Sequence, residues 1–310
     1  MADLSKVILY ASYQTGDTLP GYIRFALKHL AETNFKVVLL TNERELSQET
    51  KQFLAENDIS LYLTENRGFD FGMWRRFMKD SISGKSGIVS FSNIDRLLLI
   101  NDSIVYYQNY FADYIRRAEA SRADVISLTQ NDEVRPHLQS FFLYMKQEAL
   151  GAFYTHLMET PEQATFYDVV HRLEIGLANT FDEAEVQMAA LYQTQTQTMF
   201  SYQDLIAQDA GFIKRKLLQR RFNFKEKVHF IRKGAYNSLN ADYIKLIEDA
   251  GVAPDFDPKW LPQPVDNAIK QAADKLWEKP FEKLGWPVLK TAIKAKYKLL
   301  RKKLEGDEYK

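Results

Sequence analysis

VILYASY at residues 7–13 is a short apolar run that ends in small and polar residues, as buried strands do. Two similar runs follow, KVVLLT at 36–41 and ISLYLTE at 59–65. Segments with helical spacing separate the runs, and the second of them, 46–56, offers Ser47 as an N-cap. This alternation predicts βαβ units and a parallel sheet whose two faces are covered by helices.

Three more strands are predicted further along the chain: RLLLI at 96–100, ADVISLT at 123–129 and LQSFFLYM at 138–145. From about residue 147 the pattern is mainly helical. We therefore expect an α/β domain over residues 1–220 and a helical C-terminal extension over 221–310.

The extension contains a basic amphipathic helix. Five apolar residues at spacings of three and four share one face, with lysines and arginines around them: Leu289, Ile293, Tyr297, Leu300 and Leu304. Such a helix either rests in the headgroup layer of a membrane or packs on the domain with a solvated lysine face.

Composition excludes several classes of function. The 310 residues carry 41 basic and 41 acidic side chains, and a net charge of zero argues against general nucleic-acid binding. With no cysteine, the chain cannot form disulfides, iron–sulfur clusters or thiolate zinc sites. It has neither an apolar run of about 18 residues nor the pattern of a signal peptide. We expect a cytoplasmic protein, either free or peripheral at the inner membrane.

Polar residues cluster where the predicted strands end. The clusters are Tyr10–Gln14, which contains Tyr13, then Thr41 with Asn42, the loop NRGFDFG at 66–72, and Asn101–Ser103. In open parallel sheets ligands bind at the carboxyl ends of the strands. The clusters therefore predict a pocket for a nucleotide and its diphosphate.

Asp102 allows two interpretations. It is either an oxygen ligand for Mg²⁺ or Mn²⁺ or the cap of a turn. Gly68 and Gly72 either let a ligand approach the backbone or belong to an ordinary turn. Arg67, Arg75 and Arg76 are candidate phosphate clamps, or else they lie on a solvated helix surface.

Three segments, in this order, resemble the rhamnan synthesis protein F family, glycosyltransferases of bacterial surface polysaccharide assembly: NRGFDFGMW at 66–74, RLLLINDS at 96–103 and HLQSFFLYM at 137–145. Segments 169–181 and 211–218 resemble that family more loosely. The layout is also similar to family 2 glycosyltransferases with the GT-A fold. The resemblance implies a GT-A-like, Rossmann-type, mostly parallel sheet with flanking helices.

The resemblance also implies roles for individual residues. With the strand-end clusters, the expected donor-binding set is Tyr13, Asn42, Asn66, Arg67, Gly68, Asp70, Gly72, Asn101, Asp102, Ser103, His137 and Gln139. Asp102 would be the remaining acid of a DxD-like motif, and Asn101 stands where the first acid often is, which leaves the need for Mg²⁺ or Mn²⁺ open. Glu174 is the expected catalytic base, or else it forms an (i, i+3) pair with His171 on the surface of a helix.

The implied reaction transfers a sugar with inversion from a nucleotide donor, with dTDP-L-rhamnose the leading candidate. The implied acceptor is a glycan or a lipid-linked glycan at the inner face of the membrane. Two alternatives stay open: a transferase for another nucleotide sugar, and a noncatalytic module that binds a nucleotide sugar or glycan within a synthase complex.

Overall fold

Strands and helices alternate through the first half of the chain. The computed structural model describes residues 5–42, 45–132, 134–194, 198, 201–215, 249 and 251. The first elements are β1 (Ser5–Ser12), α1 (Gly21–Ala31), β2 (Lys36–Asn42), α2 (Gln48–Glu56), β3 (Ser60–Thr64), α3 (Phe69–Ile82), a 3₁₀ turn (Phe91–Asn93), β4 (Ile94–Asn101), β5 (Ile104–Tyr106) and α4 (Phe111–Ala120).

Shorter elements follow in the second half. They are β6 (Val125–Ser127), β7 (Gln130–Asn131), β8 (His137–Leu138), β9 (Phe142–Lys146), α5 (Gln147–Glu159), α6 (Phe166–Asp168), a π-helical segment (Val169–Glu174), α7 (Ile175–Glu183), β10 (Met188–Ala190), α8 (Tyr202–Ala207) and β11 (Phe212–Lys214). None of the described helices is both long and apolar enough to cross a membrane.

The central sheet of the described residues has seven strands in the order β10-β6-β9-β4-β1-β2-β3. The pairs β1–β2, β1–β4, β2–β3 and β6–β10 are parallel. β9 runs antiparallel to both of its neighbours, β4 and β6. This mostly parallel sheet with flanking helices confirms the expected α/β fold class.

One face of the sheet packs against α3, α5 and α7. Val7 and Leu9 of β1, and Leu97 and Leu99 of β4, belong to this core together with Trp74 of α3, and all five are fully buried. Burying a large apolar side chain contributes roughly 1.5–3 kcal/mol. The alternate residues of the same strands are also buried, because helices cover the other face too. Burial on both faces explains the continuous apolar runs of the sequence.

Several local expectations can be checked directly. Ser47 caps α2 by accepting a hydrogen bond from the Thr50 backbone nitrogen, which confirms the predicted N-cap. The expectation that 66–72 is all loop is wrong in part, because α3 begins at Phe69. The expected C-terminal extension, with its basic helix, and the boundary at residue 220 lie outside the described residues.

Candidate functional site

Asp102 lies directly after β4 and accepts hydrogen bonds from the neighbouring strand end. Its Oδ2 is 3.1 Å from the Ser12 hydroxyl and 3.0 Å from Gln14 Nε2. Burial raises the pKa of Asp102, and the Arg215 guanidinium and the Ser12 hydroxyl oppose that rise. The parallel pairing of β1 with β4 thus brings together two of the predicted clusters.

Asn42, at the end of β2, supports the loop after β1. Its Oδ1 accepts from the Gln14 backbone nitrogen at 3.0 Å, and its Nδ2 donates to the Gln14 carbonyl at 2.9 Å. These two bonds fix the backbone of Gln14, whose side chain reaches Asp102. Asn42 is therefore placed behind the residues that line the cavity, and it is not itself among the lining residues.

Asp70 joins the start of α3 to the end of β4. Its Oδ1 accepts from the Phe71 backbone nitrogen at 2.9 Å, and its Oδ2 accepts from Asn101 Nδ2 at 2.5 Å. The pKa of Asp70 is raised to about 6, mainly by burial; these two hydrogen bonds oppose the rise, and the charges of Glu174 and Asp102 add to it. The buried position of Asp70 thus favours its protonated form more than an exposed position would.

Asn101 has both ends of its amide engaged. Its Nδ2 donates to Asp70, and its Oδ1 accepts from the Ser103 backbone nitrogen at 3.1 Å and from the Ser103 hydroxyl at 2.6 Å. At the position where the resemblance implies a first acid, the chain has an amide that holds Asp70 in place.

Gly68, Gly72 and Arg67 lie outside the cavity lining. Gly68 has φ 74° and forms the left-handed N-cap of α3. Gly72 lies in the first turns of the helix, where a Cβ would come within 1.9 Å of the Arg67 carbonyl oxygen. Arg67 is largely exposed and forms an ion pair with Glu162 at 2.5 Å. The structure therefore gives each of the three a role in shaping this turn.

The two arginines that follow on α3 bind protein groups. Arg75 donates to the carbonyls of Met158 and Thr160 at 2.7 and 2.8 Å, at the end of α5. Arg76 contacts the Glu162 carboxylate at 2.6 Å and the Arg67 carbonyl at 2.6 Å. Their guanidinium groups link α3 to the end of α5 and to the turn that precedes α3. Neither residue lines the cavity.

The strand ends surround a cavity of about 690 Å³. Five predicted residues from the strand ends and the start of α3 line it: Tyr13, Asn66, Asp70, Asn101 and Asp102. Four more complete the predicted part of the lining: Ser103, His137, Gln139 and Glu174. The rule that ligand sites form at the carboxyl ends of parallel strands thus located the cavity.

Glu174 ends the π-helical segment and lies in the cavity lining. Its Oε1 accepts a hydrogen bond from the Ser140 backbone nitrogen at 3.2 Å. The His171 ring packs on Tyr167, with 4.0 Å between the ring centroids. π-helical turns often occur at functional sites because they turn one side chain out of helical register.

Two cationic residues in the lining were not predicted. Lys214 ends β11, and Arg215 follows it; β11 pairs antiparallel with β5, directly after the Asp102 turn. The Arg215 backbone nitrogen donates to the Ser103 carbonyl at 2.8 Å. Its Nη1 lies 3.5 Å from Asp102 Oδ2 and also donates to the Tyr22 hydroxyl. The stretch GFIKRKLL at 211–218 resembles the family pattern, but that resemblance does not assign a role to its charged residues.

The described residues contain no group of three His, Asp or Glu side chains able to hold a metal ion by themselves. Asp102 is a single carboxylate, and its Oδ2 faces Ser12, Gln14 and the Arg215 guanidinium. Mg²⁺ and Mn²⁺ prefer several oxygen ligands, and Asp102 by itself offers one carboxylate.

Comparison with known proteins adds the family. The model of the family described as rhamnan synthesis protein F matches residues 37–249. The chain belongs to this family. The uncharacterized protein y4gN of Sinorhizobium fredii is 26% identical over 176 residues, which are 54% of this chain and 43% of that protein. The chain therefore spans less than half the length of this relative.

Distant likenesses also exist among solved structures. A cytidylyltransferase of Leptospira borgpetersenii is 14% identical, with 79% of this chain and 93% of that chain covered and a TM-score of 0.40. A putative nucleotide-diphospho-sugar transferase of Desulfovibrio desulfuricans is 9% identical, with 80% and 100% covered and a TM-score of 0.38. Glucosyl-3-phosphoglycerate synthase of Mycobacterium tuberculosis, solved with Mn²⁺, UDP and phosphoglyceric acid, is 11% identical, with 60% and 68% covered and a TM-score of 0.37.

Proposed function

We propose that the protein is a glycosyltransferase that binds a nucleotide sugar in this cavity. Membership of the rhamnan synthesis protein F family and the α/β fold support a nucleotide-sugar glycosyltransferase. The observation that carries the proposal is one cavity that contains a strand-end acid, Asp102, a second carboxylate, Glu174, and the cations Lys214 and Arg215. Its volume, about 690 Å³, is within the usual range for small-molecule sites.

The proposed reaction is a direct displacement with inversion at the anomeric carbon. The acceptor hydroxyl oxygen forms a bond to that carbon while its proton passes to the Glu174 carboxylate. The bond from the anomeric carbon to the donor phosphate breaks, and its electron pair leaves with the nucleoside diphosphate. The Ser140 N–H holds Glu174 Oε1 and thereby fixes the carboxylate in the cavity.

The proposed donor is dTDP-L-rhamnose, and the proposed acceptor is a growing bacterial surface polysaccharide. The family description supports both choices. Phe69 and Phe166 support a sugar ligand: both rings line the cavity, both are exposed, and their centroids lie 6.0 Å apart. An acceptor carried on a lipid would place the reaction at the inner face of the membrane.

A noncatalytic module that binds a nucleotide sugar or glycan is the second candidate. Asn101 is the observation in its favour, because an amide stands where the resemblance implies an acid. The two candidates share the donor site and differ in turnover, so binding and catalysis have to be measured separately.

Thermal unfolding with dTDP-L-rhamnose, UDP-glucose and GDP-mannose tests the donor site. A ligand at about 100 times its Kd stabilises by about 2.7 kcal/mol, which for a domain of this size raises Tm by roughly 5–10 °C. A rise with dTDP-L-rhamnose supports the proposed donor. A rise only with another nucleotide sugar keeps the transferase and rejects rhamnose, and no rise with any of them rejects the donor site.

Glu174→Gln separates the transferase from the module. We expect unchanged donor affinity and a loss of about 10²–10⁴-fold in the release of dTDP when rhamnose oligosaccharides are supplied as acceptors. Glu148→Gln, on the first turn of α5, is the matched control and keeps full turnover. Equal turnover in the wild type and Glu174→Gln would reject Glu174 as the base. Donor binding without turnover in the wild type would favour the module.

A further inference from the structure

We propose that His156 is a positioning residue for Glu174, the base of the proposed reaction. His156 lies on α5, outside the cavity lining, and its imidazole ring contacts the backbone of the π-helical segment that ends at Glu174. The inference rests on the proposed function, because His156 acts through the carboxylate that accepts the proton of the acceptor.

The direction of the Glu174 side chain depends on the π-helical segment. The Ile175 backbone nitrogen donates to the Val170 carbonyl, five residues earlier, whereas an α-helix would use the carbonyl four residues earlier. The wider turn moves the side chains that follow it out of α-helical register, and both Val170 and Glu174 line the cavity. Because π-helical turns are rare and short, contacts from outside the segment matter for its position.

The His156 ring binds the peptide group next to Glu174. Its Nε2 lies 3.2 Å from the Leu173 carbonyl oxygen, which belongs to the peptide bond between Leu173 and Glu174, and the contact is buried. A carbonyl oxygen can only accept a hydrogen bond, so Nε2 carries the hydrogen and donates it. The ring therefore holds the peptide plane from which the Glu174 residue continues.

Thr180 fixes the tautomer of the ring. His156 Nδ1 lies 2.8 Å from the Thr180 hydroxyl oxygen on α7. Burial lowers the pKa of His156, and hydrogen bonds with the backbone of Leu173 and Arg172 oppose that shift. A neutral imidazole has one donor and one acceptor nitrogen, so with Nε2 as the donor, Nδ1 accepts from the Thr180 hydroxyl. This bond turns the single ring hydrogen toward the Leu173 carbonyl.

Gly176 leaves room for the ring beside α7. A Cβ at Gly176 would lie 3.3 Å from His156 Cε1, which is tighter than ordinary van der Waals contact. The side chain of His156 is buried, with the whole residue 8% exposed. The ring is therefore confined by packing as well as by its two hydrogen bonds.

Glu174 is held from two sides. His156 binds the backbone just before it, and the Ser140 N–H donates to its Oε1 at 3.2 Å. Positioning of the reacting groups supplies much of an enzyme's rate, and a misplacement of about 1 Å can reduce the rate about 100-fold. Loss of the His156 contact should therefore reduce turnover without weakening the binding of the donor.

The test uses two amide substitutions that each replace one nitrogen of the ring. Glutamine places its amide nitrogen near the position of Nε2, and asparagine places its amide group near Nδ1. Release of dTDP from dTDP-L-rhamnose is measured on the full chain, with rhamnose oligosaccharides as acceptors. We expect His156→Asn to lower kcat roughly 10–100-fold with an unchanged KM for the donor, and His156→Gln to keep most of kcat. His29→Asn, on α1 and outside the cavity lining, is the matched control and keeps full turnover.

A double-mutant cycle separates positioning from a general loss of stability. If His156 acts through Glu174, His156→Asn should not lower the residual turnover of Glu174→Gln any further. A histidine that only stabilises the fold would lower turnover by the same factor in both backgrounds. Equal factors, or a wild-type kcat in His156→Asn, would overturn the inference.

Nitrogen NMR of the ring tests the contact without turnover. The ¹⁵N shifts of an imidazole distinguish its two tautomers, and the His156 signals are identified by their absence from the spectrum of His156→Gln. We expect the hydrogen on Nε2, and a hydrogen on Nδ1 alone would overturn the inference. If His156→Asn does not fold, Thr180→Val removes the hydroxyl partner, keeps the ring and should lower kcat by a smaller factor; an unchanged kcat would count against the inference.

Failure of this inference can be told apart from failure of the proposed function. Turnover that requires Glu174 but is unaffected by His156→Asn overturns the role of His156 and leaves the transferase in place. If the wild type releases no dTDP, or if Glu174→Gln is fully active, the proposed base fails, and the inference about His156 fails with it.

Discussion

Replacing Gly72 by alanine tests the close contact at the start of α3. A Cβ at this position would lie 1.9 Å from the Arg67 carbonyl oxygen and 2.9 Å from the Arg67 carbonyl carbon. The obstacle is backbone, so a rotamer change cannot relieve it. The Arg67–Gly68 turn or the first turn of the helix has to move, and Asp70 lies between them.

The expected loss follows from two opposing terms. Overpacking costs roughly 1–3 kcal/mol and occasionally more, and a contact with fixed backbone belongs at the upper end of that range. Alanine is favoured over glycine inside a helix by about 1 kcal/mol. The net effect is a destabilisation of about 2 kcal/mol, which for a unit of this size lowers Tm by about 4–8 °C.

Gly151→Ala is the matched control. Gly151 lies on the exposed face of α5, where an added methyl group meets nothing within 4 Å. Helix propensity alone predicts that both substitutions stabilise the protein, whereas the structure predicts opposite signs. Thermal unfolding followed by circular dichroism decides between them. A Gly72→Ala protein that melts at or above the wild-type temperature would refute the packing argument.

Two other predictions concern stability. Arg75→Ala should remove the hydrogen bonds to the carbonyls at the end of α5 and lower the free energy of unfolding by roughly 1–3 kcal/mol. The exposed control Arg116→Ala should change the free energy of unfolding in urea by less than about 0.5 kcal/mol. Equal losses in the two variants would contradict the role of Arg75. The folded state raises the pKa of Asp70 from 3.8 to about 6, through burial and through the charges of Glu174 and Asp102. It therefore binds more protons than the unfolded state between these two values, so the free energy of unfolding should fall as the pH rises from about 4 to 6. Asp70→Asn should remove that slope from a series of urea midpoints, and an identical slope in the variant would refute the assignment.

The local features of the fold were predictable because their causes are local. Buried runs, strand ends and the Ser47 cap depend on neighbours within a few residues, and periodicity reports them. The direction of β9 does not: an apolar run of five residues has the same composition in either orientation, and only its pairing with β4 and β6 shows that it is antiparallel. The short strands β5, β10 and β11, with three residues each, are below the length at which periodicity can be read.

Gly72 shows that one glycine can have more than one structural cause. Its position in an Asn- and Gly-containing stretch indicates either an ordinary turn or the close approach of a ligand to the backbone, because glycine is common in both settings. The structure gives another reason: the Arg67 carbonyl approaches the helix so closely that no side chain fits. Both causes require a glycine, so only the path of the backbone in the structure distinguishes them.

The acidic and the cationic residues of the cavity differ in how far the sequence alone identifies them. Asp102 directly follows a buried strand, so the seven residues around it are enough for the strand-end rule to predict a ligand-binding position. Arg215 is more than a hundred residues away from Asp102 in the sequence, and the three-residue ladder between β11 and β5 brings it close. Its local sequence, KRK, is typical of any solvated basic segment. A charge supplied over that distance changes the chemistry inferred for the acid: alone, Asp102 suggests a metal ligand, and beside a guanidinium at 3.5 Å it is half of an ion pair. The interpretation of one carboxylate therefore depends on a pairing of strands that the sequence around it does not encode.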